Sequence, residues 1–268
     1  KFDMHCHSKE GSIDGKLPIH DFVEVAIERG FHGILISDHN SYRGYRKWVK
    51  EEMQRDFPDF VLLKGIEYDT IDAGHILCIL PDDVDLRILE FKGFPVSILI
   101  DLVHYYGGIL GPAHPFGDKY LSFIDTMMRH KQQTVMQRFD FVEGFNACEG
   151  EESNRKAKAL AEKYGKPTFG GSDAHRENCV GLAYTIFPEE VRCNDDLIAC
   201  VKLHGKEIAC GGSFYHGPVK QHMGISHAIL MKLFWAYNRL GALIRRRGRN
   251  REIRNLYLQE ILHKRVDS

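Results

Sequence analysis

Residues 33–40 read Gly33-Ile34-Leu35-Ile36-Ser37-Asp38-His39-Asn40. A short apolar run opened by glycine reads as a buried strand. This one stops at side chains that bind metals or move protons. The arrangement recurs on both sides of it. The segment 1–7 reads as a strand ending in His5-Cys6-His7, 61–66 ends at Glu67, and 75–80 opens with His75. Likewise 108–113 runs into His114-Pro115, and 168–171 runs into Ser172-Asp173-Ala174-His175. Helical patterns lie between, at 19–29, 42–57, 96–106 and 152–164, with a further strand at 141–145. Asn194 reads as the N-cap of a helix reaching 203. Strands alternating with helices imply βα units around a mainly parallel sheet. About seven such units suit a barrel, whose site lies at the carboxyl ends of its strands.

The composition fits that size of fold. The chain has 268 residues, 43% of them hydrophobic and 27% charged. That excludes disorder and a disulfide miniprotein. No run of about 18 apolar residues is present, so no membrane span is expected, and no signal-peptide pattern follows Lys1. The seven cysteines lack CxxC spacing and point to a reducing compartment, hence a cytoplasmic location. Charge is unevenly divided. Residues 219–268 hold 11 Lys and Arg against 3 Asp and Glu, while the other 218 hold 25 against 34. An acidic body therefore carries a basic tail.

On a strand, side chains alternate between faces. His5 and His7 therefore share a face that Cys6 leaves, and Asp173 pairs with His175 in the same way. One histidine at a strand end is ordinarily a satisfied loop residue. Here six histidines, Glu67 and Asp173 fall at strand ends and would share one rim if the strands close. Imidazole and carboxylate ligands without thiolate suit zinc, manganese or iron.

At these residues the chain resembles the PHP family, the polymerase and histidinol phosphatase domain, a branch of amidohydrolase-like barrels. The resemblance runs through His5-Cys6-His7-Ser8, Ser12-Ile13-Asp14-Gly15 and Ser37-Asp38-His39-Asn40. It continues through Gly65-Ile66-Glu67, Gly74-His75-Ile76-Leu77 and Ala113-His114-Pro115. Val142-Glu143-Gly144-Phe145-Asn146 and Gly171-Ser172-Asp173-Ala174-His175 complete it. These motifs stand in family order from Asp3 to about Gly181, and nothing from about residue 215 onward belongs to the match. The resemblance implies a distorted (β/α)7 TIM-like barrel over 1–215, followed by a basic helical extension over 216–268. It also implies two to three divalent transition-metal ions. The first would be held by His5, His7, Glu67 and Asp173, the second by Glu67, His75 and His114, and the third by Asp14, His39 and His175. Every one of these positions carries an acceptable ligand, which favours an enzyme over a non-catalytic relative.

Clustered divalent ions lower the pKa of bound water toward about 7 and clamp phosphate oxygens. The expected function is metal-dependent hydrolysis of a phosphate ester, by a hydroxide bridging two ions. The expected substrate is a small phosphomonoester, nucleotide-like or histidinol-phosphate-like. The alternatives are a phosphodiesterase or exonuclease using the same cluster and, in another class, a non-catalytic metal-stabilised assembly module. Glu67, Asp173 and His175 are the expected catalytic residues, with Glu67 bridging two ions. Asp38 and Asn146 are expected to orient the imidazoles. Arg43 and Arg176 are preferred over Lys16 and Lys119 for binding the substrate phosphate, because they follow closely on His39 and His175.

In the tail, Ile225, Ile229, Leu233, Tyr237, Leu240 and Ile244 recur at helical spacing, widened by Leu230 and Phe234. Arg245, Arg246, Arg247, Arg249, Arg251 and Arg254 follow, and Ile253, Leu256, Tyr257 and Ile261 form a second stripe. The favoured reading is helices packed on the barrel or on each other. A homo-oligomer interface comes second, and contact with nucleic acid or a membrane surface third.

Overall fold

The computed structural model describes residues 1–117 and 121–215. Within the tail it describes 229, 232–233, 236–237, 240–241, 243–244 and 246–255. The strands are β1 (Phe2–Cys6), β2 (Gly33–Ile36), β3 (Val61–Asp69), β4 (His75–Ile79), β5 (Ile109–Pro112), β6 (Val142–Asn146), β7 (Thr168–Gly171), β8 (Ala183–Ile186) and β9 (Ala209–Gly212). The helices are α1 (Ile19–Glu28), α2 (Arg43–Lys50), α3 (Val96–Tyr105), α4 (Phe123–Thr126), α5 (Arg129–Arg138), α6 (Glu151–Tyr164) and α7 (Asn194–His204).

One sheet runs β5-β4-β3-β2-β1-β8-β9, and β6 pairs with β7. The pair spans the gap left by the curl of the large sheet. Asp140 N donates to Leu110 O at 2.9 Å beside β5, and Ala174, just past β7, bridges to Cys6 of β1. The wall thus approaches a seven-stranded barrel, β1 to β7, with the β8–β9 hairpin on its flank. Phe2, Met4, Leu35, Leu63, Leu77, Phe141 and Phe169 pack into one cluster inside it. Phe141 stacks on Phe169 with ring centroids 4.2 Å apart.

The expectation of a mainly parallel sheet holds for β1-β2-β3 and β6-β7 but not for β4, which is antiparallel to both β3 and β5. Only residues 70–74 join β3 to β4, and a parallel return needs a crossover of a dozen residues or more. The helix expected over 42–57 stops at Lys50, because Glu52 takes a left-handed φ of 52° and only a 3₁₀ turn follows. Strand β3 runs past Ile66 to Asp69, so Glu67 lies inside it. The register of β1 on β2 slips between Asp3 and Cys6. The extra residue lets Met4 pack inside the barrel while His5 and His7 still point into it above, a common use of bulges near active sites.

Asn194 does not cap α7; Cys193 holds that position. The Asn194 side chain is buried and works on the strands instead. Its Oδ1 accepts from Lys64 N at 2.9 Å, and its Nδ2 donates to Lys64 O and Leu80 O, both at 2.7 Å. Asn194→Ala would strand three buried backbone groups, each costing about 1–3 kcal/mol. A loss of about 3 kcal/mol in urea unfolding is expected. A loss under about 1 kcal/mol would show that the three groups find other partners.

The described tail residues are helical. The face that meets the barrel carries Gly241 and Gly248, where an added Cβ would lie 2.9 Å from Lys92 Cε and 2.6 Å from Phe91 Cε1. Arg249 donates to Lys92 O. The described residues of the stripe expected to pack on the barrel are largely solvent-facing. Ile229, Leu233, Tyr237, Leu240 and Ile244 are 55–71% exposed, as the narrow glycine face takes the contact. Ile225, Leu230, Phe234, Arg245, Leu256, Tyr257, Ile261 and, in the body, Lys119 lie outside the described residues. Among the described residues no helix is long and apolar enough to cross a membrane. All seven cysteines are free.

Candidate metal centre

The carboxyl ends of the strands converge. His5 and His7 come from β1, Glu67 from the end of β3, His75 from the start of the reversed β4, and His114 from just past β5. Asp173 and His175 follow β7, and Asp14 and His39 come from loops. Backbone strain concentrates here. Asn40, His114 and Asp173 take positive φ of 48°, 26° and 52°, which side-chain-bearing residues hold only when their surroundings enforce it.

The two imidazoles of β1 have their tautomers set from behind. His5 Nδ1 lies 2.8 Å from Glu143 Oε1, and an ionised carboxylate only accepts, so this nitrogen carries the hydrogen. Ser12 Oγ donates to Asp38 Oδ1 at 3.1 Å and so accepts from His7 Nδ1, also at 3.1 Å. Both Nε2 atoms are thereby turned inward as bases, 3.0 Å apart. With both rings neutral, two lone pairs face each other and cannot bond, whereas a cation between them satisfies both. Glu67 Oε2 lies 3.4 and 3.3 Å from these nitrogens, and Asp173 Oδ1 lies 3.7 and 3.3 Å from them.

The other carboxylate oxygen of Glu67, Oε1, lies 2.9 Å from His75 Nδ1 and 3.0 Å from His114 Nε2. Toward solvent, Asp14 Oδ2 lies 3.2 Å from His175 Nε2 and 3.8 Å from His39 Nε2. The donors thus fall into groups able to hold metal ions. Among the described residues Glu67 Oε2, His39 Nδ1, Asp69 Oδ1 and His75 Nε2 are buried and make no hydrogen bond. Such atoms are costly unless a cation completes them. The residues therefore fit divalent metal.

The electrostatics agree. Burial works against charge throughout the cluster, but the opposite charges outweigh it. Glu143, Glu67 and Asp173 raise His5 well above the usual histidine value. Glu67, Asp69 and Asp14 push His39 up to about 10. Glu67 is held well below the usual carboxylate range by His75, His39 and His5. Glu67, Asp69 and Asp14 are thus held ionised, and in the metal-free site protons on His5 and His39 offset them.

Asp38 and Asn146 both lie against the cluster. The Asp38 carboxylate accepts from Ser8 N at 2.6 Å and reaches the His7 ring through Ser12, whose Oγ also accepts from His39 N at 3.1 Å. Gly44 presses on it so closely that a Cβ would lie 2.6 Å from Asp38 Oδ2. Asn146 Nδ2 donates to Glu143 Oε2 at 3.1 Å and Asp173 Oδ2 at 3.3 Å. Arg43 and Arg176 are both exposed, and neither forms an ion pair among the described residues.

Two carboxylates were missed. Glu143 lay inside a motif that was read but was given no role. It accepts from His5 Nδ1 with one oxygen and from His114 N at 2.5 Å with the other. Glu143→Gln would set an amide donor against one of these donors. Metal binding is expected to weaken about 10–100-fold in a chelator competition; unchanged affinity would remove Glu143 from the account. Asp69 follows Glu67 by two residues on β3, and strand periodicity alone would have placed it on the same face.

A family model described as PHP domain matches residues 3–166, and one described as PHP-associated matches residues 151–203. Among solved structures the chain is similar to a provisionally assigned metal-dependent phosphoesterase from Bifidobacterium adolescentis. Identity is 16% and the TM-score 0.56, over 75% of this chain and 96% of that one. PsfC from Pseudomonas syringae is also similar, at 16% identity and a TM-score of 0.58, over 88% of this chain and 97% of that one. A third is Endonuclease Q bound to a duplex with an abasic lesion, at 16% identity and a TM-score of 0.57, over 75% of this chain and 56% of that one. At this identity the likeness shows the fold alone. A search of curated proteins finds no significant match.

Proposed function

This chain belongs to the PHP domain family, and on that premise we propose that it hydrolyses a small phosphomonoester with the metal centre described above. The observation that carries the reading is the inward-facing pair of His5 and His7 Nε2 atoms, 3.0 Å apart and flanked by Glu67 and Asp173. In this reading His5, His7, Glu67 and Asp173 hold one ion, Glu67, His75 and His114 a second, and Asp14, His39 and His175 a third. Two to three ions of zinc, manganese or iron would fill them. When bound, such ions supply a nucleophilic water near neutral pH and neutralise phosphate oxygens.

The protein's own residues do the rest. Glu67 ties two ligand groups together through its two oxygens. Asp173 is held by Asn146, and His175 is placed by its Nδ1 donating to Asp173 O at 2.9 Å. His5, His7 and Glu67 are buried, whereas the Asp14 side chain is 58% exposed, so substrate enters from the Asp14 and His175 side. Arg43 and Arg176 would meet the phosphate there. An acidic body of net −9 over residues 1–218 suits a compact phosphate ester better than a long polyanion. We divide the chain into this barrel, 1–215, and the basic extension, 216–268. The free cysteines suit the cytoplasm.

A second reading, phosphodiester cleavage in nucleic acid, is favoured by one observation. The helix carrying Arg246, Arg247, Arg249, Arg251 and Arg254 touches Lys92, whose Nζ lies 3.6 Å from Asp69 Oδ2 at the cluster's edge. Phosphate release from a panel of monoesters, run beside dinucleotides and short oligonucleotides, separates the two. Monoesters turned over at least about tenfold faster in kcat/KM support the first reading. Faster oligonucleotide cleavage that falls steeply with salt supports the second. Self-association through the exposed tail stripe would appear as a concentration-dependent mass.

A further inference from the structure

Asp69 lies outside the nine positions assigned to the cluster, yet it is built into it. Its backbone is fixed on both sides. Asp69 N donates to Asn40 Oδ1 at 3.0 Å, and Asp69 O accepts from Gly93 N at 2.9 Å. Its carboxylate is 8% exposed at the residue level, and its two oxygens face different surroundings. Oδ2 faces Lys92 Nζ at 3.6 Å. Lys92 in turn lies against the tail helix, with its ammonium 4.8 Å from the Tyr237 ring and its carbonyl accepting from Arg249. Oδ1 faces the cluster, 3.3 Å from His75 Nε2 and 3.7 Å from His39 Nδ1.

None of those three atoms makes a hydrogen bond among the described residues, despite their closeness. Ligand atoms aimed at a common point stand in this way, near one another but misaligned for donation. The tautomer of His75 points in the same direction. With its hydrogen on Nδ1, 2.9 Å from Glu67 Oε1, His75 turns a bare Nε2 toward Asp69, and its single lone pair then serves this seat in place of the Glu67 and His114 group. His39, Asp69 and His75 together offer two imidazoles and one carboxylate, a frequent ligand set for zinc and related ions.

We propose that Asp69 Oδ1 is a metal ligand, completing a seat with His39 Nδ1 and His75 Nε2, and that Lys92 and the tail helix hold the carboxylate in position through its other oxygen. The inference rests on reading the cluster as a metal centre. It adds a ligand to that centre, gives the single lone pairs of His39 and His75 to this seat in place of the Asp14 and Glu67 groups, and makes the basic tail part of the wall that supports it.

Two measurements with zinc as the probe test it. In crystals of the zinc-loaded wild-type protein, an anomalous peak is expected within coordination distance of Asp69 Oδ1, about 2.0–2.2 Å. In solution, Asp69→Asn is expected to retain about one zinc fewer per chain than wild type after dialysis, by mass spectrometry. Zinc elsewhere in the cluster with none at Asp69, together with full zinc content in the variant, would overturn the proposal and leave the metal-centre reading intact. A wild-type protein that holds no zinc at all would overturn both. The wild-type crystal decides the matter even where the variant does not fold.

Discussion

Glu67→Gln is expected to reduce phosphate release by about a thousandfold or more, the largest single-residue loss in the protein. The reason is positional. Glu67 Oε1 reaches His75 and His114, while Oε2 reaches His5, His7 and His39, the last at 3.0 Å. Five of the cluster's imidazoles thus lie within 3.4 Å of its two oxygens. The amide keeps the volume but removes the charge that two ligand groups share, and its NH2 can only donate where a base is required. Metal content should fall with activity, by more than one ion per chain. A variant that keeps full metal content and most of its turnover would refute the bridging role. His5→Gln, by contrast, should disturb one ligand group, and its loss should be smaller.

Metal affinity is expected to rise steeply with pH, and activity lost by stripping the metal should return faster at higher pH. In the metal-free protein His39 is pushed up to about 10, and His5 and His175 are also raised, because the neighbouring carboxylates outweigh the cost of burying a charged ring. His39 and His5 therefore carry protons at neutral pH, while metal binds only the neutral imidazole. Each bound ion displaces protons, and a reaction that releases protons is favoured as pH rises. The gain is about tenfold in affinity per pH unit for each proton displaced, continuing toward pH 10 for His39. Calorimetric titration with zinc in buffers of different ionisation enthalpy should show net proton release at pH 7. An affinity independent of pH between 6 and 9 would contradict the protonation scheme.

The residues of the site were more legible than the scaffold that places them. His5 and His7, Glu67, His75, His114, and Asp173 with His175 each stood at the edge of a short apolar run, a local pattern that survives any detail of topology. Their partners were harder to read. Asp38 stands beside His39 in sequence, yet it reaches the His7 ring through Ser12, a route that only the folded loop creates. Glu143 faces His5 across the interior from a residue 138 positions away, and strand pattern carries no such long-range information. Asp69 was missed because β3 was ended at Ile66, whereas sheet pairing with β4 carries it three residues further.

The scaffold's departures have local causes. The reversal of β4 follows from the five-residue turn before it, a gap too short for a parallel crossover. The β8–β9 hairpin escapes periodicity because both strands are only four residues long and Ala209–Gly212 carries no β-branched or aromatic residue. Asn194 fitted the N-cap rule, and tertiary hydrogen bonds to Lys64 and Leu80 put it to another use. The tail stripe is amphipathic in the way buried helices are, yet its described apolar residues face outward. Periodicity shows that a face is apolar, not what covers it.

The measurement that bears most directly on the central claim is metal content by mass spectrometry on the purified protein, with phosphate release from a panel of phosphomonoesters assayed on the same sample. The account predicts two to three transition-metal ions per chain, with turnover that disappears on chelation and returns with zinc or manganese. One ion or none, with no turnover after reloading, would contradict it and leave a barrel whose histidines serve assembly rather than catalysis.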